Sequence, residues 1–135
     1  MKSIELKRRV RWADVDASGR IYFARIFDYA GEGEWELLHS MGASRKELAA
    51  RGYDFPRVHA DCDFRKQIRL GSMITLRFGP QKLGRTSIHY QFTVFLDEEP
   101  HEPAAEGHVT VVVLHNGKPA PIPPELRAFE LSLED

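Results

Sequence analysis

One change of hydrophobic period constrains this chain more than any other feature. Between about Phe23 and Met41 the apolar residues Phe23, Ile26, Phe27, Ala30, Leu37, Leu38 and Met41 recur at helical spacing, and Gly42 follows where a C-cap glycine belongs. On either side the apolar residues alternate instead. Ile4, Leu6, Val10 and Trp12 form one such run before the helix. After it come Val58, Ala60, Cys62, Phe64 and Ile68, then Ile74, Leu76 and Phe78 beyond Gly71, then Ile88, Tyr90, Phe92, Val94 and Leu96 beyond Gly84. A last run extends from about Ala105 to His115 and stops at the turn dipeptide Asn116-Gly117. Strand, helix, then four strands joined by short turns predicts an α+β chain, a five-stranded antiparallel sheet wrapped around one long helix. Shorter helical pieces are expected over 44–51 and near Pro123, and the proline-rich stretch 118–124 must be extended. Gly31 and Gly33 lie inside the long helix, each costing about 1 kcal/mol relative to Ala, so a close approach by neighbouring backbone is expected there.

Composition excludes several classes of function. A chain of 135 residues with 42% apolar content fits one domain, 1–135. Its net charge of -1 offers no global attraction to nucleic acid or to an anionic membrane. The single cysteine, Cys62, cannot form an internal disulfide and reads as a small core residue. No apolar run reaches membrane-spanning length and MKSIELKRRV lacks a signal-peptide core, so a cytoplasmic protein is expected. The six histidines show no close metal-ligand spacing, so neither metal nor cofactor is expected.

The stretch WADVDASGRIYFARIF, from Trp12 to Phe27, crowds acids in front of the helix. Asp14, Asp16 and Ser18 occupy the first, third and fifth positions of a calcium loop, and Gly19 the sixth. The twelfth position is Arg25, a cation where such a loop needs its bidentate Glu, which excludes that reading. Two readings remain. These residues cap the helix and its preceding turn, as their types commonly do. Alternatively, one carboxylate serves chemistry at the helix N-terminus, where unpaired N–H groups and partial positive charge can stabilise an oxyanion.

The motif Asp14, Asp16, Gly19, Arg20, Ile21, Tyr22, Phe23 resembles the signature D-x-D-x-x-G-[VI]-[VI]-[YFW]-[HFY] of the hotdog-fold acyl-CoA thioesterases, in their 4-hydroxybenzoyl-CoA thioesterase-like group. The likeness extends in element order over nearly the whole chain, through Gly42, Phe55-Pro56 and the G-R-T-S of Gly84 to Ser87. Arg20 departs from the usual aliphatic residue, and Phe23 stands where many acyl-chain members have His, which brings the chain nearer to the aryl-CoA members. The resemblance implies hydrolysis of an acyl-CoA or aryl-CoA thioester to free acid and coenzyme A. Asp16 would be nucleophile or general base, and the backbone N–H of Phe23 the oxyanion donor. Gly19 would let backbone approach the ligand, and Tyr22 and Phe23 would wall it. Asp14 reads as a turn or capping residue.

Glu32, between two glycines, is a candidate neighbour of the substrate, as is His59, which shares the polar face of its strand with Asp61 and Asp63. Lys82 and Arg85 frame the turn before the fourth strand and resemble the family's positions for the phosphates of coenzyme A. An open five-stranded sheet leaves edges exposed, so a homodimer joined edge to edge is expected; the resemblance adds sites at the dimer interface and a homotetramer above it. Two alternatives stay open: a non-catalytic dimer that binds acyl thioesters, and a hotdog dehydratase. The second would require a catalytic His near the helix start, whereas His39 lies at the other end.

Overall fold

The computed structural model describes residues 3–129, so the ends of the expected 1–135 domain lie outside the described residues. The chain runs β1 (Ile4–Arg9), α1 (Arg25–Ser40), α2 (Arg45–Ala50), β2 (Tyr53–Asp54), β3 (Arg57–Phe64), β4 (Met73–Leu83), β5 (Ser87–Leu96), β6 (Ala105–Val112), β7 (Leu114–His115) and β8 (Lys118–Pro119). Short 3-10 turns occupy Trp12–Asp14 and Pro124–Leu126. Five strands form one antiparallel sheet in the order β1-β4-β5-β6-β3, and β2, β7 and β8 form a small second sheet.

Alternation and helical stripe meet in one core. Ile74, Leu76 and Phe78 of β4 pack with Ile88, Tyr90, Phe92 and Val94 of β5 and with Val109 and Val111 of β6, all buried. Helix α1 turns Ile26, Tyr29, Ala30, Leu37 and Leu38 toward them. It stops at Gly42, whose φ of +71° suits glycine, and Ser44 caps α2 by accepting the Glu47 N–H. Gly33 explains itself by packing: a Cβ there would lie 2.8 Å from Cβ of Phe78, so side chain rather than backbone makes the close approach. Gly31 differs from expectation, since a Cβ there would meet nothing within 4 Å.

Other corrections have local causes. The first strand ends before Trp12, which is 80% exposed. Val10 exchanges backbone bonds with Ser72 and Gly71, and the chain then turns away at Trp12–Asp14. Phe23 is not on the buried stripe; it is exposed, and regular helix begins at Arg25 after a turn in which Tyr22 and Phe23 carbonyls accept the Arg25 and Ile26 N–H groups. The run expected to end at Ile68 stops at Phe64, and Ile68 instead accepts the Ile21 N–H at its carbonyl. β3 does not form a hairpin with β4 but lies beside β6 at the sheet edge, leaving Val58 and Phe64 exposed. The last long run breaks at Val113, beyond which Leu114–His115 joins the small sheet.

Candidate active site

The loop before α1 is built by backbone bonds. Asp16 N–H donates to the Arg20 carbonyl at 3.0 Å and Gly19 N–H to the Asp16 carbonyl at 3.0 Å, a tight turn that needs the positive φ of Gly19, +79°. The bridge between Val15 and Ile21 closes the loop's two arms, and Leu70 N–H anchors its tip through the Gly19 carbonyl. Asp16 stands on one arm, exposed, and the other arm leads into the helix. Its Oδ1 accepts the hydroxyl and, at 2.8 Å, the backbone N–H of Ser18. These bonds, aided by Arg20, hold its carboxyl below the usual aspartate range. Oδ2 has no partner among the described residues.

At the helix start, Tyr22 N–H donates to the Asp14 carbonyl at 2.8 Å. The next two N–H groups, of Phe23 and Ala24, have no acceptor among the described residues, so the positive end of α1 is open. The Tyr22 and Phe23 rings lie 5.1 Å apart beside it. No side chain caps Ala24, the N-cap of α1, which removes the reading of Asp14, Asp16 and Ser18 as caps of this helix. Asp14 is instead buried, accepting the Arg11 N–H at 2.9 Å and the Tyr29 hydroxyl at 2.9 Å. Burial first, and Asp14 second, hold the Tyr29 phenol well above its usual range. Arg8 lies over that ring, 4.4 Å from its centroid.

The other expected residues lie apart from this loop. Glu32 forms an ion pair with Arg8 and lines an open cleft of about 1040 Å³ between β1 and α1. This cleft also reaches Arg25, Asp14 and Gly31, but not Asp16 itself. His59 lies on the sheet face away from α1, with Nε2 2.8 Å from Asp61 Oδ2, while His108 Nδ1 is 2.9 Å from Asp61 Oδ1. His108, then His59, lower the Asp61 carboxyl. Lys82 follows a bulge in β4 and Arg85 lies in the turn closed by the Gly84 N–H bond to the Ser87 carbonyl; both are exposed, with no ion pair among the described residues. Burial pushes the Cys62 thiol up to about 11, unfavourable for a thiolate nucleophile.

Sequence reasoning marked Asp14 as a turn residue and Glu34, with Glu32, as a helix acid, but missed that both are buried, Asp14 against Tyr29. Glu34, 1% exposed, is held through Oε1 by Arg45 and by Arg57 at 2.9 Å. The available signal was position: Glu34 falls on the stripe through Ile26, Ala30 and Leu37, where an acid is out of place unless it is paired.

Comparison with known proteins bears on this geometry. The sequence model of the Thioesterase-like superfamily matches residues 10–129. A 1,4-dihydroxy-2-naphthoyl-CoA hydrolase of Nostoc punctiforme is 33% identical over 95 residues, covering 68% of this chain and 64% of the relative. One of Prochlorococcus marinus is 31% identical over 97 residues, covering 64% of each. The match thus spans slightly less than two thirds of these relatives' length. In fold, the solved structure of a 1,4-dihydroxy-2-naphthoyl-CoA thioesterase from Synechocystis agrees with a TM-score of 0.88 over 98% of each chain, at 20% identity.

Proposed function

Because this chain belongs to the thioesterase-like superfamily and has a hotdog fold, we propose that it hydrolyses an acyl-CoA thioester to the free acid and coenzyme A. The observation that carries the reading is that one short loop holds both a carboxylate with a free oxygen, Asp16, and the open helix N-terminus at Phe23. The Phe23 N–H polarises the thioester carbonyl and stabilises the oxyanion formed on attack. Asp16 attacks that carbon, the C–S bond breaks, the thiolate takes a proton from water, and water opens the resulting anhydride. In the other route Asp16 removes a proton from the water that attacks. Single turnover in ¹⁸O-water distinguishes them: the nucleophilic route leaves label in Asp16 when water attacks the anhydride at its aspartyl carbonyl, and the general-base route leaves none.

Tyr22 and Phe23, exposed aromatic side chains, wall the acyl group, and Gly19 lets the ligand approach the loop. Arg85 and Lys82 hold the phosphates of coenzyme A. The functional unit is a homodimer joined through β3. Among the described residues that strand pairs only with β6, and its Ala60, Cys62 and Phe64 continue the buried row Val109, Gly107 and Ala105 without the cover of α1. His59, on the same edge strand, thereby borders the partner's site.

The reading is tested by thiol release across a panel of straight-chain and aryl esters of coenzyme A. Turnover of at least one ester is expected. Selective stabilisation by esters without thiol release would instead identify a binding module.

A further inference from the structure

Beside Asp16 stand two cations with no acid of their own. Arg20 and Arg69 bridge as an antiparallel pair, flanked by the bond from Ile21 N–H to the Ile68 carbonyl and by that from Leu70 N–H to the Gly19 carbonyl. The pair itself exchanges no hydrogen bond, the arrangement in which facing side chains stand closest, and like charges placed there repel. Alternation fixes the faces. Ile21 and Ile68 turn inward and are buried, whereas Asp16, whose N–H donates to the Arg20 carbonyl, is exposed together with Arg20 and Arg69. The three side chains thus form one outward row in the order Asp16, Arg20, Arg69. Arg69 reaches only the neutral Gln67, and neither arginine has an ion pair among the described residues. Arg20 acts on the Asp16 carboxyl through space, but a single carboxylate leaves the row with surplus positive charge.

We propose that Arg20 and Arg69 hold a carboxylate on the acyl group, so that the preferred substrate is a thioester of a dicarboxylic acid. The proposal rests on the hydrolase reading above in placing the reacting carbonyl between Asp16 and the Phe23 N–H. From Arg20 to Phe23 the chain extends at most about 10 Å, and the arginine side chain closes part of that gap. A diacid of a few carbons spans the remainder, passing Tyr22, which is exposed between the two. The phosphates of coenzyme A do not fit the same place, because the whole pantetheine arm separates them from the thioester carbonyl. The two guanidinium groups offer forked N–H donors to both carboxylate oxygens, and the bound anion relieves their mutual repulsion, which a methyl group in its place does not. Arg20, standing between Asp16 and Arg69 in the row, screens the incoming charge from Asp16.

The test compares glutaryl-CoA with pentanoyl-CoA, which differ only in a terminal carboxylate against a methyl group. The wild-type protein should favour glutaryl-CoA in kcat/KM by roughly 3- to 10-fold, a preference that shrinks as salt is raised, and Arg69→Gln should abolish it. Removing one member of a repelling pair should leave the thermal midpoint undiminished. Equal wild-type rates with the two esters, or a preference that Arg69→Gln leaves in place, would overturn the proposal. Equal losses in the variant on both esters, absent with the corresponding pantetheine esters, would also overturn it by giving the pair to a phosphate. A second arm needs no turnover: in calorimetry the thioether analogue of glutaryl-CoA should bind the wild-type protein more tightly than that of pentanoyl-CoA, and Arg69→Gln should remove the difference. That selective binding without thiol release from any ester would count against hydrolysis while upholding the subsite. Its absence alongside thiol release would count against the subsite alone.

Discussion

Ser18 keeps Asp16 ionised to lower pH than an ordinary aspartate, and that dependence can be measured. The Ser18 hydroxyl and N–H favour the carboxylate, so the folded-state pKa lies below the usual aspartate value and the anion persists as pH falls. The acid limb of kcat/KM should accordingly lie below that value, and Ser18→Ala should move it upward by removing the larger of the two bonds; an unmoved limb would detach the limb from Asp16. Arg85 makes a different kind of contribution. If it holds a phosphate far from the reacting carbonyl, Arg85→Ala should raise KM roughly 3- to 10-fold with little change in kcat, because ground and transition states bind it alike. Asp14 was legible as a polar turn residue but not as a buried one. Its partner Tyr29 lies fifteen positions on, and no local pattern announces a contact across that distance. Tyr29→Phe leaves the buried carboxylate short of a donor and should cost about 1–3 kcal/mol in denaturant unfolding.

Helix α1 is held to the sheet at Gly33, where Phe78 occupies the place of a side chain. Gly33→Ala would gain about 1 kcal/mol of helix propensity and lose about 1–3 kcal/mol to overpacking, so a net fall in stability is expected from urea unfolding. The helix, its stop at Gly42, the capped α2 and the three inner strands were all readable from period and punctuation, because each is fixed by residues close in sequence. The position of β3 beside β6 was not. Pairing between segments more than forty residues apart leaves no trace in alternation, and Val58 to Phe64 alternate whether or not anything covers them. Trp12 misled for a related reason: its alternation continues past the point where backbone pairing with β4 ends at Met73. Glu34 was legible only as an interruption in an apolar stripe, and its meaning depends on Arg45 and Arg57, which approach from other elements.

At the scale of the molecule, the open edge of β3 and the uncovered row beside it are what support the proposed dimer. Light scattering at micromolar concentration should find a dimer or a larger even assembly, and a stable monomer would remove the proposed joining of sheets. Within that assembly everything turns on whether the loop before α1 is a catalytic device or only a turn. Asp16 is exposed and does not cap α1, so Asp16→Asn should leave the thermal midpoint nearly unchanged. The most direct test measures kcat of this variant and the wild type on the best ester of the panel, alongside both midpoints. The expected result is a loss in kcat on the order of 10²-fold or more with the fold intact, since an amide is neither a competent nucleophile nor a base; turnover near the wild-type rate would contradict a catalytic Asp16.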